Sequence, residues 1–368
     1  MTPELKKAIS GILKKNPNVV RDLKEYETLK RIPLDSPQLT YMFSGGLPIG
    51  RIHNFFGQES GGKSTVATYL CSQLQKKMPE KQRTILYLDF ERSFDEKFAG
   101  NLGLDTSDSM LVYATPDSIE DAIDLTCDLV KTGGIAGIVL DSDAAAPTRT
   151  QMTDQFGKAT FGGSAKGLSE GLRKMNILCA NYNSTLFTIS QERANMQPMS
   201  RMNAVTGGFA SKYYPSTRNK ITKTDVIKEG AETIGISIRV RNFKNKSGVP
   251  FRDSNMNLYF GIGSNGIRGF DSDSEYLQFF FDLKLIEQRG AYFKSEEFGF
   301  NLNGRAKVLE WMEANPEPYA TLKSKVTELL SGENQLDLNN VDPNEDEGEK
   351  DFIDEEIEDV EEEAASEE

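Results

Sequence analysis

Short β-rich runs alternate with longer amphipathic stretches between Arg51 and Ile189. Alternation of this kind predicts a parallel sheet covered by helices. The predicted strands are Ile52–Phe56, Thr84–Leu88, Met110–Tyr113, Gly137–Leu140 and Ser184–Ile189. The predicted helices are Ser64–Met78, Phe94–Leu102, Ser118–Lys131 and Ala165–Asn181. We therefore expect an α/β fold with a mostly parallel sheet flanked by helices.

A short amphipathic helix is predicted before this region. Residues 4–15 place Leu5, Ile9 and Leu13 near helical spacing, and Asn16 and Pro17 end the pattern. A helix of about three turns is marginal in water by itself. Its apolar side must therefore pack within the chain or on a neighbouring subunit.

A smaller α+β unit is predicted beyond Gly269. Its helices are Tyr276–Leu285 and Arg305–Asn315. We assign the only tryptophan, Trp311, to the core of this unit.

Two long stretches break the alternation, Gln151–Gly163 and Glu192–Gly208. Both are rich in Gly, Thr, Gln, Asn and Met. Long irregular loops in a compact α/β core are usually either functional or disordered.

Charge is distributed very unevenly along the 368 residues. The chain has a formal charge of −13, but residues 331–368 contain 18 acidic residues and one Lys, so residues 1–330 carry about +4. Such an acidic segment cannot bury enough apolar surface to offset its ordering entropy, and we expect it to be disordered. The remaining body is mildly basic.

Several kinds of chemistry are disfavoured by composition. One histidine, His53, leaves no HExxH pair, and Cys71, Cys127 and Cys179 are too widely spaced for a zinc site or a disulfide framework. No stretch approaches about 20 apolar residues, so no membrane span is expected. We expect a soluble protein of a reducing compartment, the cytoplasm.

A phosphate-binding motif follows the first predicted strand of the sheet. Residues 57–64 fit GxxxxGK[ST] and directly precede a helix. In such a loop, backbone N–H groups face phosphate, Lys63 reaches the β- and γ-phosphates, and the Ser64 hydroxyl ligates Mg²⁺. The predicted nucleotide contacts are Gly57, Gln58, Glu59, Ser60, Gly61, Gly62, Lys63, Ser64 and Thr65. ATP and Mg²⁺ are the expected cofactors.

Acidic residues end two other predicted strands. Asp141 ends an apolar predicted strand and is a candidate for the Mg²⁺ shell. Glu91 follows Asp89 and Phe90 and could orient water for attack on the γ-phosphate. Pattern alone leaves both open to a simpler interpretation as turn caps or solvated strand-end carboxylates.

Taken together, the motifs resemble those of bacterial RecA recombinases in order and approximate spacing, from about Gly45 to Leu329. They are Gly46–Ile52, the phosphate loop, Leu88–Glu91, Val139–Ser142, Thr206–Gly208 and Lys244–Lys246. The resemblance is to a divergent RecA, bacterial or phage-encoded. It implies a RecA-like P-loop core that forms ATP-dependent helical filaments on single-stranded DNA, pairs homologous duplex and exchanges strands, with the cytoplasm of a bacterial or infected cell as its location.

The resemblance also implies roles for individual residues. Glu91 matches the family's catalytic glutamate, and Gln191 its γ-phosphate-sensing glutamine. Asp95, Phe98 and Phe260 match residues around the nucleotide base. Lys244 and Lys246 match lysines that reach across the subunit interface to the neighbour's ATP.

The two irregular loops match the family's DNA-binding loops. Phe161 and Met196 resemble residues that wedge between base triplets, although the sequence by itself favours ordinary core packing for an aromatic residue or a methionine. The expected phosphate contacts are Lys166, Ser169, Arg173, Arg193, Gly207 and Gly208.

The C-terminal unit resembles the family's duplex-capturing domain. Lys294, Arg305 and Lys307 are its candidate contacts, or else form a solvated basic face. The chain departs from the family pattern in three places: Asp143 stands where an apolar residue is usual, the second loop looks slightly shorter, and Asn18–Arg21 only loosely replaces the polymerisation strand.

We expect four regions: an oligomerisation segment (1–32), an ATPase and DNA-binding core (33–265), a small C-terminal domain (266–331) and an acidic tail (332–368). The expected partners are single-stranded DNA, homologous duplex, further copies of the chain, and single-strand-binding and loader proteins. A ring-forming helicase-like motor and a small-molecule kinase remain alternatives. A kinase would need a lid and an acceptor pocket, and such a helicase ordinarily uses an arginine in trans.

Overall fold

The structure is a computed structural model that describes residues 2–15, 30–143, 145–153, 163–193, 204–205, 208–261 and 266–331. The predicted acidic tail and the segment Asn18–Arg21 lie outside the described residues. Strands β1 (Arg31–Ile32) and β2 (Leu47–Pro48) form a small antiparallel pair.

The central sheet has a parallel part that confirms the predicted alternation. Its strands are β3 (Ile52–Gly57), β4 (Thr84–Asp89), β5 (Leu111–Ala114), β6 (Ile135–Asp141) and β7 (Thr185–Arg193), in the spatial order β3-β7-β6-β4-β5. A short strand, β8 (Ala204–Val205), pairs antiparallel with the end of β7. All five predicted strands are present, with ends shifted by a few residues.

An antiparallel extension of this sheet was not predicted. It consists of β9 (Thr217–Glu229), β10 (Glu232–Asn245), β11 (Asp253–Phe260) and β12 (Arg268–Phe270), each antiparallel to the next, and β9 joins it to the sheet by pairing parallel with β3. The outer half of β9 is largely exposed and rich in Lys, Asp and Glu, so its composition resembles a loop. One available signal was Gly230, whose positive φ serves the two-residue turn between β9 and β10.

Helices cover both faces of the parallel part. The described helices that precede the C-terminal unit are α1 (Pro3–Lys15), α2 (Pro37–Met42), α3 (Lys63–Lys77), α4 (Glu96–Asn101), α5 (Ile119–Lys131), α6 (Arg149–Thr153), α7 (Gly163–Tyr182) and α8 (Gly208–Tyr213). Helix α4 begins later than predicted because Asp95 caps it, accepting a hydrogen bond from Phe98 N at 2.9 Å.

Side chains along each buried strand alternate between two cores. In β6, Val139 packs with α3, whereas Ile138 and Leu140 pack with α5 and α7. This is the period-two geometry of a strand buried on both faces. The helices therefore hold the sheet from both sides.

A separate core lies in the C-terminal unit, which is α+β as expected. Strands β13 (Glu287–Arg289), β14 (Tyr292–Ser295) and β15 (Phe300–Asn303) form a small sheet beside α9 (Ser272–Asp282), α10 (Arg305–Ala314) and α11 (Pro316–Ser331). Trp311 packs at the edge of this core rather than inside it, with its ring 4.5 Å from that of Phe300. No helix among the described residues is long and apolar enough to cross a membrane.

One buried carboxylate joins this unit to the central α/β core. Glu275 on α9 is only 6% exposed, and its Oε2 accepts hydrogen bonds from Ser36 Oγ at 2.5 Å and from Gln38 N at 3.4 Å. Burial raises the pKa of Glu275 to about 8, although these hydrogen bonds oppose the shift.

Stability should therefore fall as pH rises from about 4.5 to about 8, because the unfolded chain ionises at Glu275 before the folded one does. Glu275→Gln does not titrate, so its free energy of unfolding relative to the parent should grow by up to about 1.4 kcal/mol per pH unit across that range. Urea unfolding from pH 5 to 8 measures this, with the exposed Glu328→Gln as control. A difference that does not change with pH would contradict the assignment.

Candidate nucleotide-binding site

The phosphate loop joins β3 to α3 and depends on close backbone packing. Gly57 has a φ of 144°, and a Cβ there would lie 2.2 Å from the carbonyl oxygen of Ile221 on β9. Lys63 is the first residue of α3, and its Nζ donates to Gly57 O at 3.1 Å and to Gln58 O at 2.7 Å. The lysine thus folds back over the loop that precedes it, with its charge next to the helix N-terminus.

A cavity of about 420 Å³ opens in front of this loop. Most of the predicted nucleotide and catalytic residues line it: Glu59, Ser60, Gly61, Gly62, Lys63, Ser64, Thr65, Glu91, Phe98, Asp141, Gln191 and Phe260. Gly57 and Gln58, the first two residues of the loop, are not among the lining residues. Sequence reasoning missed four further lining residues, Ile189, Lys223, Ile236 and Leu258. Three of these come from the antiparallel extension, whose strands carry no local phosphate-site signal.

Burial makes the charges in this cavity poorly solvated. It lowers the pKa of Lys63, although the Asp141 and Glu91 carboxylates favour the charged form. It also raises the pKa of Asp141, against hydrogen bonds from Ser64 and from Tyr87 Oη at 2.9 Å. An added phosphate would neutralise Lys63, and an added cation would neutralise Asp141.

The donors present fit Mg²⁺ bound together with a nucleotide. The Ser64 hydroxyl hydrogen-bonds to the Asp141 carboxylate, so two oxygen ligands already lie side by side. Among the described residues there is no cluster of three or more His, Cys, Asp or Glu side chains able to hold a metal alone. Mg²⁺ typically binds through one or two protein oxygens plus phosphate and water, which matches this pair.

Glu91 is positioned by contacts on both sides. The buried Asp89 accepts hydrogen bonds from the N–H groups of Glu91, Ser93 and Phe94 at 3.0, 2.8 and 2.9 Å, which shapes the turn after β4. Glu91 Oε1 then accepts from Ser142 Oγ at 2.6 Å and from Gln191 Nε2 at 2.9 Å. The carboxylate is therefore held between the ends of β6 and β7.

Two aromatic rings also line the cavity. Phe98 and Phe260 meet edge to face, with ring centroids 6.2 Å apart. Asp95, predicted to lie beside the base, caps α4 and is not among the lining residues.

Lys244 and Lys246 do not line the cavity of their own chain. They lie at the end of β10, where Lys244 Nζ donates to Lys212 O at 2.6 Å and Lys246 Nζ to Tyr213 O at 3.1 Å. Both ammonium groups thus cap the C-terminus of α8, where the helix dipole favours positive charge.

The predicted DNA contacts are only partly described. Phe161, Met196 and Gly207 lie outside the described residues. Lys166 is exposed on α7, Arg193 ends β7, and Gly208 begins α8. Ser169 and Arg173 both hydrogen-bond to the Tyr214 hydroxyl, Arg173 through Nε at 3.1 Å.

The basic residues predicted on the C-terminal unit have local partners or lie exposed. Lys294 pairs with Glu296 at 2.6 Å, and Arg305 donates to Gln278 at 3.2 Å. Lys307 is exposed.

A glycine loop between β3 and the N-terminus of α3, with an adjacent lysine, serine and strand-end aspartate, defines a P-loop nucleotide-binding protein of the parallel α/β class. The family model for the RecA N-terminal domain matches residues 6–265. The chain therefore belongs to the RecA family, a family of ATP-binding DNA recombination proteins, as its sequence motifs predicted.

The approach of Gly57 to Ile221 generates a direct prediction. Gly57→Ala should lose nucleotide binding and about 1–3 kcal/mol of stability, because the new methyl group meets a backbone oxygen that cannot rotate away. Gly133→Ala is the matched control: Gly133 also has positive φ, but nothing lies within 4 Å of its Cβ position. Urea unfolding and titration with a fluorescent ATP analogue compare the two. Equal nucleotide affinity in both variants would show that this contact does not shape the loop.

Proposed function

We propose that this protein is a DNA-dependent ATPase that forms helical filaments on single-stranded DNA and exchanges strands with homologous duplex. One observation carries the proposal: the bond from Gln191 to Glu91 lies where β7 leaves the nucleotide cavity and enters the β7–β8 hairpin. That hairpin carries segment 194–203, the expected second DNA loop. Gln191, which would respond to nucleotide, thus lies on the strand that leads directly into the segment that would contact DNA.

The chemical roles follow from charge and position. Lys63 stabilises charge on the β- and γ-phosphates. Glu91 orients and deprotonates the attacking water. When bound by Ser64 and Asp141, Mg²⁺ supplies neutralisation of phosphate charge.

Gln191 serves as the switch. Its side-chain amide donates to Glu91 at 2.9 Å. A γ-phosphate within reach competes for the same amide as a charged acceptor. When the amide moves from Glu91 to phosphate, Glu91 is released to accept a proton from water. The end of β7 shifts at the same time, which moves the start of the expected second DNA loop.

The lysine pair completes the site from the neighbouring subunit. Lys244 and Lys246 are separated from their own cavity, yet they are held side by side by the C-terminal carbonyl groups of α8. Presented to a neighbour's γ-phosphate, they would supply transition-state charge that one chain lacks. Hydrolysis then depends on assembly.

A single strand suits the basic, loop-bearing body. Residues 1–330 carry about +4, and the described phosphate candidates Lys166 and Arg173 lie exposed on α7. Basic groups that follow the backbone, with apolar residues that stack on bases, bind single strands without reading sequence.

Electron microscopy of the full chain with single-stranded DNA and a slowly hydrolysed ATP analogue should show open helical filaments, because a head-to-tail interface that does not close propagates as a helix. Glu91→Gln with ATP should give the same filaments, since it retains nucleotide while hydrolysing about 100-fold or more slowly. Lys63→Ala with ATP is the negative control. Closed rings would instead identify a helicase-like motor, and monomers a small-molecule kinase.

Mixed filaments test the lysines. Lys63→Ala and Lys244→Ala should each be inactive alone, but a mixture should recover some DNA-dependent turnover, greatest near equal amounts. At some subunit interfaces of the mixed filament, the intact phosphate loop of the Lys244→Ala variant then faces the intact Lys244 of the Lys63→Ala variant. Lys63→Ala mixed with a chain carrying both substitutions is the control and must stay inactive. Absence of recovery at every ratio would place the whole site within one subunit.

A further inference from the structure

Asp143 stands where the family pattern has an apolar residue, and it has a defined set of partners. The residue is 8% exposed, and its N–H donates to Ile189 O at 3.0 Å. Its Oδ2 accepts from Ser190 Oγ at 2.5 Å and from Ser211 Oγ at 2.9 Å. A buried carboxylate thus joins β6, β7 and α8.

This network lies directly beside the residues that hold Glu91. Ser142 and Gln191 bind Glu91, and their chain neighbours Asp143 and Ser190 bind each other. Successive residues of an extended strand point to opposite faces. Gln191 and Ser190 thus contact different groups but are adjacent in the chain. A shift of Gln191 moves Ser190, and with it the Asp143 carboxylate that accepts from Ser211.

The helix at the other end of the network carries the interface lysines. Ser211 is 1% exposed on α8, a single short helix whose last carbonyl groups receive Lys244 and Lys246. Its position therefore depends on tertiary contacts more than on helix propensity. Hydrogen bonds to a charged acceptor are the stronger kind of contact available at such a site.

We propose that Asp143 is a positioning residue that couples the nucleotide site to α8. It ties the helix, and through it the Lys244–Lys246 pair, to the strand that senses the γ-phosphate. The coupling from nucleotide to α8 stands on the contacts above, and its consequence for turnover rests on the proposed function. An apolar pair at these positions would pack α8 without linking it to the state of β7.

Hydrogen exchange of the full chain, with and without an ATP analogue and Mg²⁺, tests the coupling without DNA. In the parent, nucleotide should slow exchange of peptides from both β7 and α8. In Ser211→Ala, the response of β7 should remain while that of α8 falls by about tenfold, the factor that corresponds to one lost hydrogen bond to a charged group. Asp143→Asn should weaken the α8 response in the same direction.

Ser184→Ala is the matched control. Ser184 Oγ donates to Ile135 O at 2.7 Å, a buried hydroxyl contact between β7 and β6 at the far end of the same strands. This variant should respond as the parent does. An α8 response that is absent in the parent, or unchanged in Ser211→Ala, would overturn the proposal.

Turnover separates this inference from the proposed function. Ser211→Ala should keep its affinity for the nucleotide analogue and lose about tenfold in DNA-stimulated hydrolysis. If the parent shows the α8 response but no stimulation by DNA, the recombinase proposal fails and the coupling stands. If Ser211→Ala loses nucleotide affinity, the network is part of the binding site and the coupling role is wrong.

Discussion

The register of the parallel strands determines where every group of the nucleotide site stands. Asp89, Asp141 and Ile189 are paired neighbours on β4, β6 and β7, and Gly57 is paired with Gln191 across β3 and β7. Because parallel strands end at a common edge, the chemistry converges there without any long excursion of the chain. A shift of one residue in the pairing register of a strand would turn each of its side chains to the opposite face of the sheet. The helices packed on both faces oppose such a shift and so preserve the arrangement of the site.

The same packing leaves two charged groups of the site poorly solvated. Lys63 and Asp141 are both buried, and burial disfavours the charged form of each. A nucleotide phosphate and its cation would relieve both. Glu91 and Gln191 line the same cavity as Lys63 and Asp141. Part of the binding free energy of a nucleotide could therefore be used to change the hydrogen bonds of Glu91 with Ser142 and Gln191.

Two routes lead away from Glu91, and both begin on β7. One follows Gln191 into the hairpin that precedes segment 194–203, and the other follows Ser190 through Asp143 to α8. Under the proposed function, the first route would serve communication with DNA, and the second would serve communication with the lysine pair that would face a neighbouring subunit. Because both routes begin on β7, one nucleotide-dependent movement of this strand would affect segment 194–203 and the position of α8 together.

Local sequence determined the parallel half of the fold and most of the nucleotide site. Apolar runs and helical spacing predicted β3 to β7 and the helices α3, α4, α5 and α7 between them, but not the short helix α6. The glycine loop predicted its own position because its chemistry is contiguous in the chain. The cap at Asp95 shortened one helix, and Trp311 proved peripheral to its core.

Tertiary structure alone decided the rest. Strands β10 and β11 alternate apolar with polar residues, which is a local strand signal, but no local pattern predicts that β9 to β11 supply Lys223, Ile236 and Leu258 to the cavity. The hydrogen bond from Lys244 to Lys212 O, and the one from Ser211 to Asp143, each join residues that are far apart in sequence. Such contacts depend on which strands become neighbours, a result of packing the whole chain that no local pattern contains.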